Sequence, residues 1–250
     1  MQTGNDGLRL VTLNIDWNKN LKRVLPFLAD CGADVACLQE VRQDALQVLA
    51  RAAGEYYLFA PMTLGDLHGA PCPVGIALFS RLPLRFGRFG YYVGDPRRIV
   101  ELDETSEESR RKTTARAVAF CGVEKDGVRY TVATTHFTWT GNGKPDEFQR
   151  KDLQKLLDVL RWAGECVLCG DFNAPRGGEI FTALSQRFTD NVPPCYASSL
   201  DPETHHLKYV KAMVDGIFST PAYTVSGVEM HSGISDHCAL EGVVTVAGSE

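Results

Sequence analysis

Residues Leu8 to Ile15 read LRLVTLNI, with apolar and polar side chains in turn, the pattern of a half-buried strand. Leu21, Val24, Leu25 and Leu28 follow at helical spacing, with Pro26 as an interruption or kink. Val35 to Gln39 is a short apolar strand ending at Glu40. Another amphipathic stretch runs from about Val41 to Ala53, where Gly54 stops it. Strand, helix, strand and helix thus alternate over the first 60 residues, and each strand ends on polar side chains. That order commits the chain to a layered α/β architecture whose strand ends hold the chemistry.

The middle is richer in strands. Gly75 to Ser80, Ala115 to Val123 and Val128 to His136 have β-like composition, and Asp126-Gly127 between the last two is a hairpin signal. Residues 101–113 are polar and read as a surface excursion. Phe148, Leu153, Leu156, Leu157 and Leu160 mark a helix ending before Gly164. Cys166 to Cys169, Met213 to Phe218, Tyr223 to Met230 and Cys238 to Val246 complete the strands. Two sheets with helices outside accommodate all of these elements. No Pro/Gly/Ser-rich linker, repeat or low-complexity tract interrupts the 250 residues, so one domain over 1–250 is expected.

The net charge of −5 excludes a broad basic face of the kind that grips a long nucleic-acid duplex. Only Arg97-Arg98 and Arg110-Arg111-Lys112 form local basic clusters. The second follows Glu101, Asp103, Glu104, Glu107 and Glu108, and both are equally well explained as solvated loop charges. The eight cysteines lie mostly in apolar runs, where a thiol behaves as a small hydrophobe. Cys166 and Cys169 form a CxxC, but no second pair completes a four-ligand zinc site. The polar stretch from Met1 to Gly7 lacks the apolar centre of a signal peptide, and no run approaches a membrane span. A soluble cytoplasmic protein with reduced thiols, a monomer, is the expectation.

The chemistry-bearing residues gather where strands stop. Asn14 and Asp16 end the first strand and Glu40 the second. His136 closes Val128–His136, Asp171 and Asn173 follow Cys169, and Asp236-His237 precede the last strand. Oxygen donors from Asn, Asp and Glu suit Mg²⁺, which keeps several waters and is completed by substrate phosphate. Imidazoles beside carboxylates suit proton transfer and stabilisation of developing charge. Each motif alone has an ordinary explanation: a turn for Gly-Asp-Phe-Asn, a helix-end charge for Glu40, a satisfied core histidine for His136 or His237. Turns and caps have no reason to recur in this series at strand ends.

In this order LNID (13–16), LQEV (38–41), TTHF (134–137), GDFN (170–173), VDGIF (214–218) and SDH (235–237) resemble the motifs of the endonuclease/exonuclease/phosphatase superfamily, with its DNase I-like fold. The resemblance spans essentially the whole chain. It implies a four-layer α/β sandwich, two packed mixed β-sheets flanked by helices, with one active site at the sheet edges. It further implies a metal-dependent phosphoesterase using Mg²⁺, with Mn²⁺ as a substitute. Glu40 then resembles the direct metal ligand, and Asn14 and Asp236 complete or support the metal site, with Asp16 beside them. Asp171 resembles the carboxylate that orients or deprotonates water, and Asn173 the amide that holds a phosphate oxygen or that water. His237, oriented by Asp215, and His136 resemble the two active-site imidazoles.

Substrate is less constrained. The Thr-Thr-His ending at 134–136 is more like branches with tyrosyl-DNA phosphodiesterases, sphingomyelinases and deadenylase-type nucleases than the abasic-site repair branch. Trp139, with Trp17, Tyr196 and Tyr209, offers an aromatic rim for a base or apolar group, while alternation turns Phe137 inward. Arg116 stands at a strand start, where it meets either a phosphate or a surface carboxylate. His205-His206 fall in the polar loop 197–210, where a metal role competes with an ordinary loop. Three outcomes stay open: a nuclease or tyrosyl-DNA phosphodiesterase, a hydrolase of a non-nucleic phosphoester such as a lipid headgroup or small molecule, and a non-catalytic binding protein of the same fold. Retention of every acid and histidine speaks against the last.

Overall fold

The structure, a computed structural model, describes residues 7–66, 69–141, 143–206 and 209–248, so the polar stretch before Gly7 and part of loop 197–210 lie outside the described residues. One six-stranded sheet has the order β11 (Tyr223–His231), β12 (Ala239–Val246), β1 (Leu8–Asn14), β2 (Val35–Arg42), β4 (Pro71–Ser80) and β3 (Tyr56–Asp66). The other runs β5 (Phe86–Val93), β6 (Arg116–Lys125), β7 (Val128–His136), β8 (Val167–Asp171), β10 (Asp215–Ser219) and β9 (Thr189–Asp190). Each sheet contains a parallel pair, β1–β2 and β7–β8, amid antiparallel neighbours. A parallel pair needs a crossover, supplied by α1 (Leu21–Asp30) and α4 (Glu147–Leu160).

Strand alternation sorts the side chains into layers. Leu8, Leu10, Val35 and Cys37 of the first sheet meet Tyr130, Val132, Val167, Cys169 and Ile217 of the second in the inter-sheet core. On the outer face of the first sheet, Val11, Leu13, Ala36 and Leu38 are covered by Val24 and Leu28 of α1 and by Leu49 and Ala53 of α2 (Leu46–Ala53). On the second sheet, Phe120, Ala133, Leu168 and Phe218 are covered by Leu153, Leu156 and Leu160 of α4 and Ile180 and Phe181 of α5 (Glu179–Ser185). Full burial of each large side chain contributes about 1.5–3 kcal/mol. The result is the four-layer α/β/β/α sandwich implied by the motifs. Pro26 sits inside α1 without ending it.

Several elements depart from the sequence expectation. The polar segment 101–113 contains a helix, α3 (Glu107–Thr113), that buries no residue. Ser106 caps it by accepting from Ser109 N, and Glu107–Arg111 and Glu108–Lys112 pair one turn apart. The strands β3, β5 and β9 and helix α5 add to the expected set. All eight cysteines are free, and Cys166 and Cys169 are buried beside and within β8. Among the described residues no helix is long and apolar enough to cross a membrane.

Gly170 permits the close approach of β7 and β8. Its φ is +144°, and a Cβ there would lie 2.0 Å from the Thr135 carbonyl oxygen. Thr135 pairs with Gly170 and His136 with Asp171, so any displacement passes directly to those side chains. Gly170→Ala is expected to cost about 1–3 kcal/mol of stability and to depress activity further by shifting Asp171. A thermal melt equal to wild type would contradict this.

Candidate active site

The two parallel pairs aim their C-terminal ends at one place between the sheets. Continuing the inward alternation, Leu8-Leu10-Thr12 leads to Asn14, Tyr130-Val132-Thr134 to His136, and Val167-Cys169 to Asp171. Asp215 opens β10 directly opposite Asp171, and Ile217 continues its face into the core. Glu40 breaks the rule. Gln39 faces the second sheet, where its Nε2 donates to Thr12 Oγ1 at 3.2 Å and Thr134 Oγ1 at 3.0 Å. Glu40 should therefore point to the helices. A β-bulge between Leu38 and Val41, with Glu40 at φ 57°, turns its carboxylate into the site instead.

Asn14 holds the centre. Its Nδ2 donates to Glu40 Oε1 at 3.2 Å and to Asp171 Oδ2 at 3.1 Å, while its Oδ1 accepts from Asp16 N at 3.0 Å. It thus supports two carboxylates rather than presenting its oxygen beside them. Asp171 Oδ2 lies 3.4 Å from His136 Nε2 and 3.8 Å from His237 Nε2, and Oδ1 accepts from Asn173 N at 2.8 Å. His237 Nδ1 meets Asp215 Oδ2 at 2.7 Å. Asn173 has one amide hydrogen committed to the Phe137 carbonyl, at 3.0 Å. Phe137 itself is fully buried on the helix side. The loop after His136 is tied to the crossover helix, with Thr138 Oγ1 on Asp152 Oδ2 at 2.8 Å and Gln149 Nε2 on the Thr138 carbonyl at 2.7 Å.

Electrostatics distinguish the groups. Burial, with Asp236 and Asp16 nearby, pushes the Glu40 carboxyl up to about 7 despite the Asn14 hydrogen bond. Burial pushes the His136 imidazole down to about 3, keeping it neutral. Burial acts the same way on His237, but Asp215, Asp171 and Asp236 outweigh it and hold that imidazole well above its ordinary value. Asp16 is raised by burial, and Lys19 Nζ sits 2.6 Å from its Oδ1. A carboxyl that burial and two neighbouring carboxylates leave holding a proton near neutrality marks a donor set short of positive charge. The chemistry of Glu40, Asp236 and Asp16 therefore suits a hard divalent cation.

That fit has a measurable sign. Without a cation, Glu40 holds its proton more tightly folded, at about 7, than unfolded, at about 4.3. Its contribution to stability is full below the lower value and is lost as pH rises through the upper one. A cation needs the carboxylate, so the proton competes with it below about 7. The rise in melting temperature on adding Mg²⁺ should be larger at pH 8 than at pH 6, as read by scanning fluorimetry. An equal shift at both would remove Glu40 from the cation site.

Beside this centre runs a cleft lined by Trp17, Glu40, Met62, Val74, Leu102, Arg110, Thr114, Arg116 and His136. Its lining combines apolar side chains with two arginines. Arg116 is 6% exposed, donates Nη1 to the His136 carbonyl at 3.0 Å and forms no ion pair among the described residues. Arg110, from the capped helix α3, lies with its guanidinium 4.6 Å from the Trp139 ring centroid and shares a side groove with Trp139, Thr138 and Asp152. Trp139 is therefore a platform for an arginine on one face of its ring. Trp17 lines the cleft, Tyr196 packs against the inter-sheet core, and Tyr209 is fully exposed. Within the basic clusters Arg97 pairs with Asp95, Arg111 with Asp146 and Glu107, and Lys112 with Glu108, and Arg110 itself has Glu104 Oε1 at 3.5 Å from its Nη1. Sequence reasoning did not single out Arg110 from its cluster, since a run of charges does not say which one folds back.

The endonuclease/exonuclease/phosphatase family model matches residues 11–237. No curated protein matches the sequence. Among solved structures, an endonuclease/exonuclease/phosphatase from Bacteroides vulgatus superposes with a TM-score of 0.70 at 17% identity, covering 96% of this chain and 98% of that one. A beta toxin from Staphylococcus aureus gives 0.63 at 16%, covering 94% and 99%. A mannosyl-6-phosphatase from Bacteroides thetaiotaomicron gives 0.63 at 12%, covering 95% and 99%.

Proposed function

Because this chain belongs to the endonuclease/exonuclease/phosphatase family and is a phosphoester hydrolase of that class, we propose that it cleaves a phosphodiester by Mg²⁺-assisted attack of water, with Mn²⁺ as a substitute. The observation that carries this is the position of Asp171. From the end of β8 it lies within 4 Å of both imidazoles and accepts a hydrogen bond from Asn14, which also holds Glu40.

Glu40, with Asp236 and Asp16, would hold the divalent cation, which when bound would neutralise the phosphoryl oxygens. Asp171 takes the proton of the attacking water and holds that water in line. Asn173 fixes Asp171 through its backbone N–H and leaves its second amide hydrogen for a phosphate oxygen. His237, clamped by Asp215 and held protonated by the carboxylates around it, donates from Nε2 to the phosphoryl group. His136, kept neutral by burial, stands with its Nε2 3.4 Å from Asp171 Oδ2 and assists the leaving group. Arg116, a buried cation without a carboxylate partner among the described residues, is completed by a substrate anion.

Within this class a compact phosphoester fits better than a long duplex. Among the residues that line the cleft the only arginines or lysines are Arg110 and Arg116, alongside Trp17, Met62, Val74 and Leu102. Those apolar side chains suit a planar or apolar substituent. The test is Mg²⁺-dependent hydrolysis over a panel: bis-aryl phosphate diester, single- and double-stranded DNA, RNA, a 5′-phosphotyrosyl oligonucleotide, sphingomyelin and a sugar phosphomonoester. Turnover that EDTA abolishes, highest on a small or single-stranded ester, is expected. Turnover unchanged in EDTA, or no hydrolysis of any member with Mg²⁺ or Mn²⁺, would overturn the proposal.

A further inference from the structure

A second cluster converges on His237 and shares Asp236 with the Glu40 set. Segment 199–205 is bound to segment 233–238 along its length. Cys238 N donates to the Ser199 carbonyl at 2.7 Å, Asp201 N to the Asp236 carbonyl at 2.8 Å, Thr204 Oγ1 to the Ser235 carbonyl at 2.5 Å, and Gly233 N to Asp201 Oδ2 at 2.6 Å. Asp201 Oδ1 also accepts from Glu203 N and Thr204 N, so the turn is closed on itself. Ser199 Oγ accepts from Val214 N and Asp215 N at 3.0 and 3.1 Å. The segment is therefore fixed both to the strand that carries Asp215 and to the loop that carries Asp236 and His237. It seats His205, 6% exposed, edge-on to His237 with ring centroids 5.9 Å apart.

Ligand atoms of His205, Asp236 and His237 all lie within 4.8 Å of one another. His237 Nδ1 is engaged by Asp215 at 2.7 Å, which fixes the tautomer and turns Nε2 outward, the arrangement of a carboxylate-supported metal histidine. Beyond the shared Asp236, the donors differ in kind from those around Glu40. Two imidazoles and one carboxylate favour zinc and its neighbours, whereas an all-oxygen set favours Mg²⁺. Three protein ligands on a fixed frame also leave a fourth position open.

We propose that His205, Asp236 and His237 form a second, transition-metal site that takes Zn²⁺, and that filling it blocks hydrolysis by occupying the Nε2 of His237. The inhibitory consequence rests on the role given to His237 above. The binding does not.

The test uses the whole protein in excess Mg²⁺, with Co²⁺ as the coloured probe and Zn²⁺ as the competitor. Wild-type protein is expected to give a Co²⁺ visible absorption band that Zn²⁺ displaces and further Mg²⁺ does not. His205→Gln should lose the band, and His206→Gln, on the exposed neighbour, should keep it. Zn²⁺ should inhibit Mg²⁺-supported hydrolysis, with a half-inhibiting concentration about 10–100-fold higher in His205→Gln, whose rate without Zn²⁺ stays near wild type. Equal Co²⁺ spectra in wild type and His205→Gln would overturn the site. Zn²⁺ displacing Co²⁺ without slowing hydrolysis would overturn the inhibition. A protein that hydrolyses nothing in Mg²⁺ but gives the His205-dependent band would sink the function proposed above and leave the site standing.

Discussion

Asparagine at position 171 is expected to lower kcat by about 10³-fold, within the usual range for loss of a proton-transferring group, while the protein still folds. The substitution keeps shape and volume but removes, among the described residues, the only carboxylate within 4 Å of both imidazoles. It also disturbs a defined set of hydrogen bonds. Oδ1 accepts from Asn173 N and Oδ2 from Asn14 Nδ2, and an amide accepts on one side only. One of the two donors is left facing another donor, a cost of about 1–3 kcal/mol. Steady-state kinetics in saturating Mg²⁺ beside a thermal melt separate the two effects. His237→Ala should match the loss of turnover, and it leaves buried Asp215, whose Oδ1 has no partner, with a further unpaired oxygen. Near wild-type rates in either variant would remove these residues from the chemistry.

Glu40→Gln should act in opposite directions on two observables. The Mg²⁺ concentration for half-maximal activity should rise by about 10–100-fold, as for loss of other groups that hold or support a metal. The cation-free protein should instead become more stable at pH 8, because the group crowded by Asp236 and Asp16 no longer has to ionise there. A merely structural Glu40 would lower stability at every pH and leave the Mg²⁺ titration in place. Melting curves with and without Mg²⁺ at pH 6 and 8 distinguish the two.

Much of this geometry can be read locally, because period-two alternation suffices to aim Asn14, His136, Asp171 and Asp215 at the inter-sheet space once the strands are recognised. Glu40 could be assigned a role only by motif, since its direction depends on a bulge set by pairing with β4. The missed strands β3 and β5 are both sheet edges. β3 contains Pro61 and Gly65, and β5 leaves Phe86 and Phe89 exposed, so neither shows the contrast between faces that marks a strand. Helix α3 has no apolar face at all and rests on its cap and ion pairs. Arg110 eluded the sequence, and His205, marked there only as half of a loop pair with a metal role as one alternative, could not be given partners, for a different reason. Their destinations are fixed by contacts with Trp139 and with the 233–238 loop, partners more than 25 positions away.

That α3 buries nothing has a consequence for how such proteins diverge. A segment that contributes no core side chain can accept substitutions, lengthen or be exchanged while the sandwich beneath keeps its fold. Yet it is this segment that brings Arg110 over Trp139 beside the cleft. Selection on the substrate can thus proceed in a part of the chain where drift is cheap, and the acids and imidazoles at the strand ends are left under separate constraint. Relatives on the same scaffold are then free to share their chemistry and part company over what they cut.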